Sequence, residues 1–241
     1  NLAGLLSSQG EYGAARGLLE RALSIREQAL GPHHPDTARS LNNLALLLSS
    51  QGEYGAARPL YERVVQIFEQ ALGPLHPDTA TSLNNLAHLL SSQGEYGAAR
   101  PLYERALTIH EQALGPEHPD TASSLNNLAG LYQHQGEYEK ARPLYERALS
   151  ITEQALGPLH PDTASSLNNL AELLESQGEY GVARPLYERA LTIREQALGP
   201  MHPDTATSLN NLANLHYAQG EYGAARPLYE RALSIYEQAL G

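Results

Sequence analysis

The chain has 241 residues and a formal net charge of −11 at pH 7, and it contains no cysteine. The acidic balance disfavours binding to nucleic acid or to an anionic membrane, and the missing cysteines exclude disulfides, thiolate metal sites and cysteine nucleophiles. No apolar run approaches the ~18 residues of a membrane span, so we expect a cytoplasmic protein without a membrane partner.

The sequence repeats every 42 residues without insertion or deletion, since the segment LNNLA begins at Leu41 and again at Leu83 and at each later copy. A fixed period of this size is typical of a stacked solenoid with one continuous core. We therefore expect a single array over 1–241. It comprises a truncated repeat 1–33, which begins abruptly as in a fragment, and the repeats 34–75, 76–117, 118–159, 160–201 and 202–241.

Each repeat is predicted to form two helices, here called A and B. In the block 34–75, Pro35 suits the first position of helix A and Asp36 its first turn, and Gly52 suits its end. Helix B is predicted from Glu53 to Leu72. The whole chain is thus predicted to hold eleven helices of clear length after a truncated first one, with almost no strand.

A proline lies about six residues into helix B, at Pro59 in the second block and at the same place in later ones. Proline removes one hydrogen bond and crowds the carbonyl four residues earlier, which belongs to Gly55. We expect a kinked or irregular first turn in helix B, repeated along the array as part of its geometry.

The pattern LxxLAxxLxxxGxYxxAxxxYxxA resembles the tetratricopeptide repeat. In the block 118–159 it is carried by Leu125, Leu128, Ala129, Tyr132, Gly136, Tyr138, Ala141, Tyr145 and Ala148. The 42-residue form resembles the repeats of kinesin light chains and is similar to bacterial and fungal sensor arrays. The resemblance implies an all-α fold, a right-handed superhelical solenoid of antiparallel helix pairs. It also implies a concave groove, lined by helix A, that binds a peptide.

Candidate groove residues lie on one face of helix A. Each repeat carries two adjacent asparagines, although asparagine is on the order of 0.5 kcal/mol worse than alanine inside a helix. An amide both donates and accepts, so a row of amides can hold an extended peptide backbone. The resemblance assigns this role to the second asparagine of each pair. These residues are Asn43, Asn85, Asn127, Asn169 and Asn211, and variable neighbours on the same face are Arg39, His88, Glu172 and Asn214.

Two alternatives remain open for this face. The asparagines can instead bond to neighbouring helices and fix the stacking, or one asparagine of each pair can serve each purpose. Variation on the face can likewise reflect either selectivity for a partner or free drift of an exposed surface. Helix B also varies at positions that look exposed, which are Arg26, Phe68, His110, Thr152, Arg194 and Tyr236.

Catalytic chemistry is not predicted, because a catalytic site needs different residues to converge and here nearly every residue is copied. Five histidines are one loop residue, His34 and its copies, spaced on the order of 10 Å or more apart, too far to share a metal. We predict that they cap helix A or pack in the loop. We expect no enzyme, no cofactor and no metal.

Two functions are compatible with these patterns. The first is a protein–protein interaction scaffold that binds a peptide or protein segment in the groove lined by helix A. The second is a structural spacer or a rod that assembles end to end without a ligand. The rod would use head-to-tail contacts, because the ends carry no polar capping helix and present complementary faces.

Overall fold

The computed structural model describes residues 2–240, except for the side chains of Ser8 and Leu240. Within this range every regular element is an α-helix, as predicted. The helices in the first half are α1 (Leu2–Ser8), α2 (Tyr12–Leu30), α3 (Pro35–Ser50), α4 (Tyr54–Ala71), α5 (Pro77–Ser92) and α6 (Tyr96–Ala113). Those in the second half are α7 (Pro119–His134), α8 (Tyr138–Ala155), α9 (Pro161–Ser176), α10 (Tyr180–Ala197), α11 (Pro203–Ala218) and α12 (Tyr222–Leu240).

The chain forms two compact units, residues 1–116 and residues 117–241, and each unit contains three helix pairs. Within a unit, the odd-numbered A helix packs against its own B helix, and that B helix packs against the next A helix. The A helices α7 and α9, and α9 and α11, also touch each other. The predicted all-α solenoid of antiparallel helix pairs is confirmed, whereas the single array over 1–241 stays a prediction.

The segment HPDT builds the start of the A helices α3, α5, α7, α9 and α11. His34 Nδ1 accepts a hydrogen bond of 3.1 Å from the Asp36 N–H, and Pro35 follows the cap at the start of the helix. The buried Thr37 hydroxyl donates to the Gly31 carbonyl at 2.9 Å and so ties helix A to the end of the preceding B helix. The predicted histidine cap is confirmed at all five copies, His34, His76, His118, His160 and His202.

The segment QGEY turns helix A into helix B. Gly52 has a φ of +76°, which glycine adopts without the steric cost that a Cβ brings. The Glu53 N–H donates to the Leu48 carbonyl at 2.9 Å, and the Gly52 N–H donates to the Ser49 carbonyl at 3.0 Å. This pair of bonds is a Schellman motif, and it satisfies carbonyls that the helix end leaves open.

Proline does not interrupt the B helices. Helix α4 runs from Tyr54 to Ala71 with Pro59 inside it. Its first turn has mixed geometry, because the Glu53 carbonyl accepts from the N–H groups of both Ala56 and Ala57 at 3.0 Å. The bond to Ala56 spans three residues and is tighter than an α-helical bond. Pro59 is therefore accommodated within a continuous helix.

Ion pairs link successive B helices within each unit. Arg58 Nη1 on α4 lies 3.1 Å from Glu95 Oε1, at the start of α6. The same pair recurs in the second unit, where Arg142 Nη1 lies 3.0 Å from Glu179 Oε1. These side chains are about two-fifths exposed, so solvent screening keeps the contribution of each pair to stability small. No helix in the described residues is long and apolar enough to span a membrane.

Candidate interaction surface on the A helices

The predicted groove residues lie on the outward side of the A helices. Arg39, His88, Glu172 and Asn214 are exposed, and so is Asn43. The second asparagine of the later pairs is half-buried in each case, at Asn85, Asn127, Asn169 and Asn211. In each unit we call the surface formed by these residues the A-helix face, and residues that share a place in successive repeats form what we call a column.

The first asparagine of two pairs in the second unit bonds across the junction between repeats. Asn126 Nδ2 donates to Ser166 Oγ at 3.3 Å, and Asn168 Nδ2 donates to Ser208 Oγ at 3.2 Å. Each bond runs from one A helix to the next. Asn168 is only 5% exposed. The first asparagine thus has a stacking role in the second unit.

The second asparagine makes fewer hydrogen bonds in the second unit. In the first unit, Asn85 Nδ2 donates to Asn42 Oδ1 at 2.9 Å, which joins α5 to α3. In the second unit, Asn169 and Asn211 have no hydrogen-bond partner among the described residues. Their amides are half-buried at the A-helix face, where a peptide backbone could meet them. The two asparagines of a pair therefore differ in their surroundings.

Arg39 is already paired within the chain. Its guanidinium lies 2.7 Å from Asp36 Oδ1 and 3.2 Å from Asp78 Oδ2, so it bridges the starts of α3 and α5. The hydrogen bond to Asp36 raises the pKa of Arg39 above its ordinary value. Arg39 also lines a cleft of about 300 Å³ together with Asn42 and Phe68. Arg39 can bind a partner only if it gives up its ion pairs with Asp36 and Asp78.

The A-helix face of the second unit is acidic. Helices α7, α9 and α11 contain five Asp or Glu residues and no Lys or Arg. A cleft of about 500 Å³ there is lined by Glu172, Glu175, Tyr187 and Asn214, among others. Burial raises the pKa of Glu175 above its ordinary value, although the Tyr187 hydroxyl, which donates to Glu175 Oε2 at 2.9 Å, opposes this. Such a surface suits a partner with basic side chains.

The variable column of the B helices is buried, which contradicts the expectation that it is exposed. Four of its members are covered, namely Phe68 at 6%, His110 at 2%, Thr152 at 4% and Arg194 at 9% exposure. For Phe68, Thr152 and Arg194 the reason is that α4, α8 and α10 each pack against two A helices, their own and the next. Only Arg26 is exposed and Tyr236 half-buried. The polarity and charge of the buried side chain beneath the A-helix face therefore differ from repeat to repeat.

Among residues 2–240, no group of three or more His, Cys, Asp or Glu side chains lies close enough together to hold a metal ion. His34 and its four copies cap the A helices, since each Nδ1 accepts a hydrogen bond from a backbone N–H of helix A.

Comparison with known proteins agrees with this architecture. A family model described as tetratricopeptide repeat matches residues 1–70, 45–112, 78–154, 120–196 and 162–238. No match was found among curated proteins.

Solved structures give a similar result. The crystal structure of BtubC (BKLC) from P. vanneervenii is 27% identical, with a TM-score of 0.74, over 97% of this chain and 92% of that one. The nearly identical TPR-like repeats of a putative kinesin light chain from Podosopora anserina are 30% identical, with a TM-score of 0.67, over 85% of this chain and 97% of that one. A point variant of that protein is 29% identical, with a TM-score of 0.69 and the same coverage. Tetratricopeptide repeats are in general scaffolds for protein interaction, and this chain belongs to the tetratricopeptide repeat family.

Proposed function

We propose that the chain is an interaction scaffold that binds an extended peptide or protein segment along its A-helix face. The observation that carries this proposal is the different surroundings of two adjacent asparagines in the second unit, Asn168 and Asn169. Asn126 and Asn168 bond to the next A helix, whereas Asn169 and Asn211 keep their amides available. An amide row of this kind offers donors and acceptors to a peptide backbone without reading its side chains.

The charge of the surface indicates the kind of segment. The A helices of the second unit carry acidic side chains without Lys or Arg, and Glu172 and Glu175 flank one cleft. A bound segment with basic residues would gain from complementary charge, chiefly in specificity and in the rate of association. We therefore propose a basic segment as the partner, held by six repeats that act as a single array in the cytoplasm.

A peptide-library selection against the array tests the proposal. We expect selected peptides to be rich in basic residues and to lose binding to a variant with Asn127→Ala, Asn169→Ala and Asn211→Ala. The matched control replaces a first asparagine instead, Asn168→Ala, and should weaken stability more than intrinsic affinity. Selection of acidic peptides, or equal binding by the first variant, would contradict the proposal.

A further inference from the structure

Two arginines of the B-helix column make the same contacts in different repeats. Arg194 Nη1 donates to the Asp204 main-chain carbonyl at 2.9 Å and to Ser208 Oγ at 3.0 Å. Arg26 Nη1 donates to the Asp36 carbonyl at 3.1 Å and to Ser40 Oγ at 2.7 Å. The aspartate carbonyl and the serine hydroxyl at the start of an A helix thus form a repeated acceptor site for a guanidinium.

The junction between α7 and α9 has the acceptors but no arginine. The member of the column there is Thr152, whose hydroxyl donates to the Leu149 carbonyl of its own helix at 3.0 Å. A cavity of about 160 Å³ remains, well above the space that one water molecule needs. No basic residue lines it. Its lining residues are Pro119, Asp120, Ser123, Asn126, Thr152, Leu156, Asp162, Ser165 and Ser166.

The lining reproduces every contact that Arg194 makes one repeat later. Arg194 bonds to the Asp204 carbonyl, to Ser208 Oγ and, through Nη2 at 3.2 Å, to Ser165 Oγ. Moving back by one repeat of 42 residues gives Asp162, Ser166 and Ser123, and all three line the cavity.

The cavity also contains a buried polar atom without a hydrogen-bond partner among the described residues. Asn126 Oδ1 is buried and has no hydrogen-bond partner among the described residues, although its Nδ2 bonds to Ser166. The equivalent oxygen, Asn168 Oδ1, is also unpaired at the junction that Arg194 fills, so this acceptor lies outside the contacts that the guanidinium makes.

The two carboxylates of the lining complete the comparison. In the first unit, Arg39 bridges Asp36 and Asp78, and these correspond to Asp120 and Asp162 two repeats later. The residue in place of Arg39 is Ser123, so neither carboxylate receives an arginine from that column.

We propose that the cavity between α7 and α9 binds the guanidinium group of an arginine in the partner segment. At the next junction, the side chain of Arg194 occupies the equivalent position from within the chain. A planar guanidinium has five N–H donors in a fixed fork, whereas an ammonium is a compact point charge with three. The cavity therefore selects arginine over lysine. The inference rests on the proposed function for the source of the arginine.

A single blocked amino acid tests the site directly. In NMR titrations of the full chain, Nα-acetyl-arginine amide should cause saturable shifts at the backbone amides of Ser123, Thr152 and Ser166. The lysine and citrulline analogues should bind about tenfold more weakly or worse, because the first lacks the fork and the second lacks the charge. Equal binding of the three probes, or no saturable shift with the arginine probe, would overturn the proposal.

Reciprocal substitutions between the two junctions provide the matched variants. Thr152→Arg copies the arrangement of Arg194 and should abolish binding of the probe, whereas Thr152→Val should retain it, because the threonine hydroxyl faces its own helix. Arg194→Thr copies Thr152 and should create a second site, seen as new shifts at Ser165 and Ser208. Unchanged binding by the Thr152→Arg variant would refute the site even where Arg194→Thr unfolds the chain.

A short peptide separates this inference from the proposed function. An alanine-rich peptide with one central arginine should bind more tightly than the blocked amino acid. Asn169→Ala should remove that gain while the affinity for the blocked amino acid stays the same. A peptide that binds no better than the single arginine would refute the peptide as source and the proposed function with it, even though the guanidinium site itself is shown by the first titration.

Discussion

Asn168 donates from α9 to the hydroxyl of Ser208 on α11, while its neighbour Asn169 makes no hydrogen bond within the described chain. The two residues are adjacent in a motif that is copied in every repeat. Their different surroundings predict opposite effects on stability, since one amide holds a junction and the other occupies a helix for which asparagine is a poor choice.

Replacing each asparagine with alanine tests this difference. Asn168→Ala should lower the free energy of unfolding by about 0.5 kcal/mol, because the loss of a buried hydrogen bond, about 1 kcal/mol, exceeds the gain in helix propensity. Asn169→Ala should raise it by about 0.5 kcal/mol through helix propensity. Urea unfolding followed by circular dichroism measures both. A loss of stability in the Asn169 variant as large as in the Asn168 variant would show that both amides are structural.

The sequence could not distinguish the two asparagines by helical spacing alone. Adjacent residues differ by about 100° around a helix, so both border the apolar stripe. Which of them is covered depends on where the next A helix lies, and that is a property of the stacking. The pairing of Asn126 with Ser166 could have been suspected, because serine precedes the asparagine pair by two residues in each full repeat.

Capping and turns were more predictable, because their causes are local. His34, Pro35 and Gly52 act within a few residues of themselves and behave as the sequence indicates. The variable column of helix B was misjudged because variation was equated with exposure. Phe68 and Leu72 are one helical turn apart and both apolar, which is the signal that could have placed this column inside.

The buried threonine of the HPDT segment is predicted to stabilise the repeat junctions within each unit. Thr163 Oγ1 donates to the Gly157 carbonyl at 2.9 Å, and Thr163 is fully buried. Thr163→Val keeps the shape but removes this hydrogen bond, so that the carbonyl keeps only the His160 N–H at 3.3 Å, which should cost about 1 kcal/mol of unfolding free energy. Thr163→Ser keeps the hydroxyl and should cost less. Calorimetry or urea unfolding measures the loss of stability in each variant. Equal losses in the two variants would assign the effect to the methyl group.

The polypeptide of residues 1–241 is predicted to associate head to tail. Leu5 is 55% exposed and Leu233 is 58% exposed, whereas the copy of Leu5 in the next repeat, Leu47, is 5% exposed. Association would join two different faces and therefore propagate instead of closing as a dimer. Sedimentation should show mass rising with concentration, and Leu233→Glu should suppress the rise. A strict monomer at high concentration would rule out this association for the polypeptide.

Glu175 gives the second unit a predicted dependence of stability on pH. Burial raises the folded-state pKa of Glu175 above the ordinary value of about 4.5, so the folded chain holds this proton more tightly than the unfolded chain. Its contribution is thus fully present below pH 4.5 and is lost as pH rises through the raised pKa. Glu175→Gln removes the charge, keeps an acceptor for Tyr187, and copies Gln133, whose Oε1 accepts from the Tyr145 hydroxyl at 3.0 Å.

The variant and its reverse test that sign. The stability of Glu175→Gln relative to the parent chain should increase from acid to neutral pH and then level off, in urea titrations at a series of pH values. Gln133→Glu places a carboxylate beside Tyr145 and should show the opposite trend, losing stability relative to the parent chain as pH rises. A difference between Glu175→Gln and the parent that is independent of pH would mean that Glu175 titrates alike in the folded and unfolded chains. Its burial beside Tyr187 would then contribute nothing to proton binding.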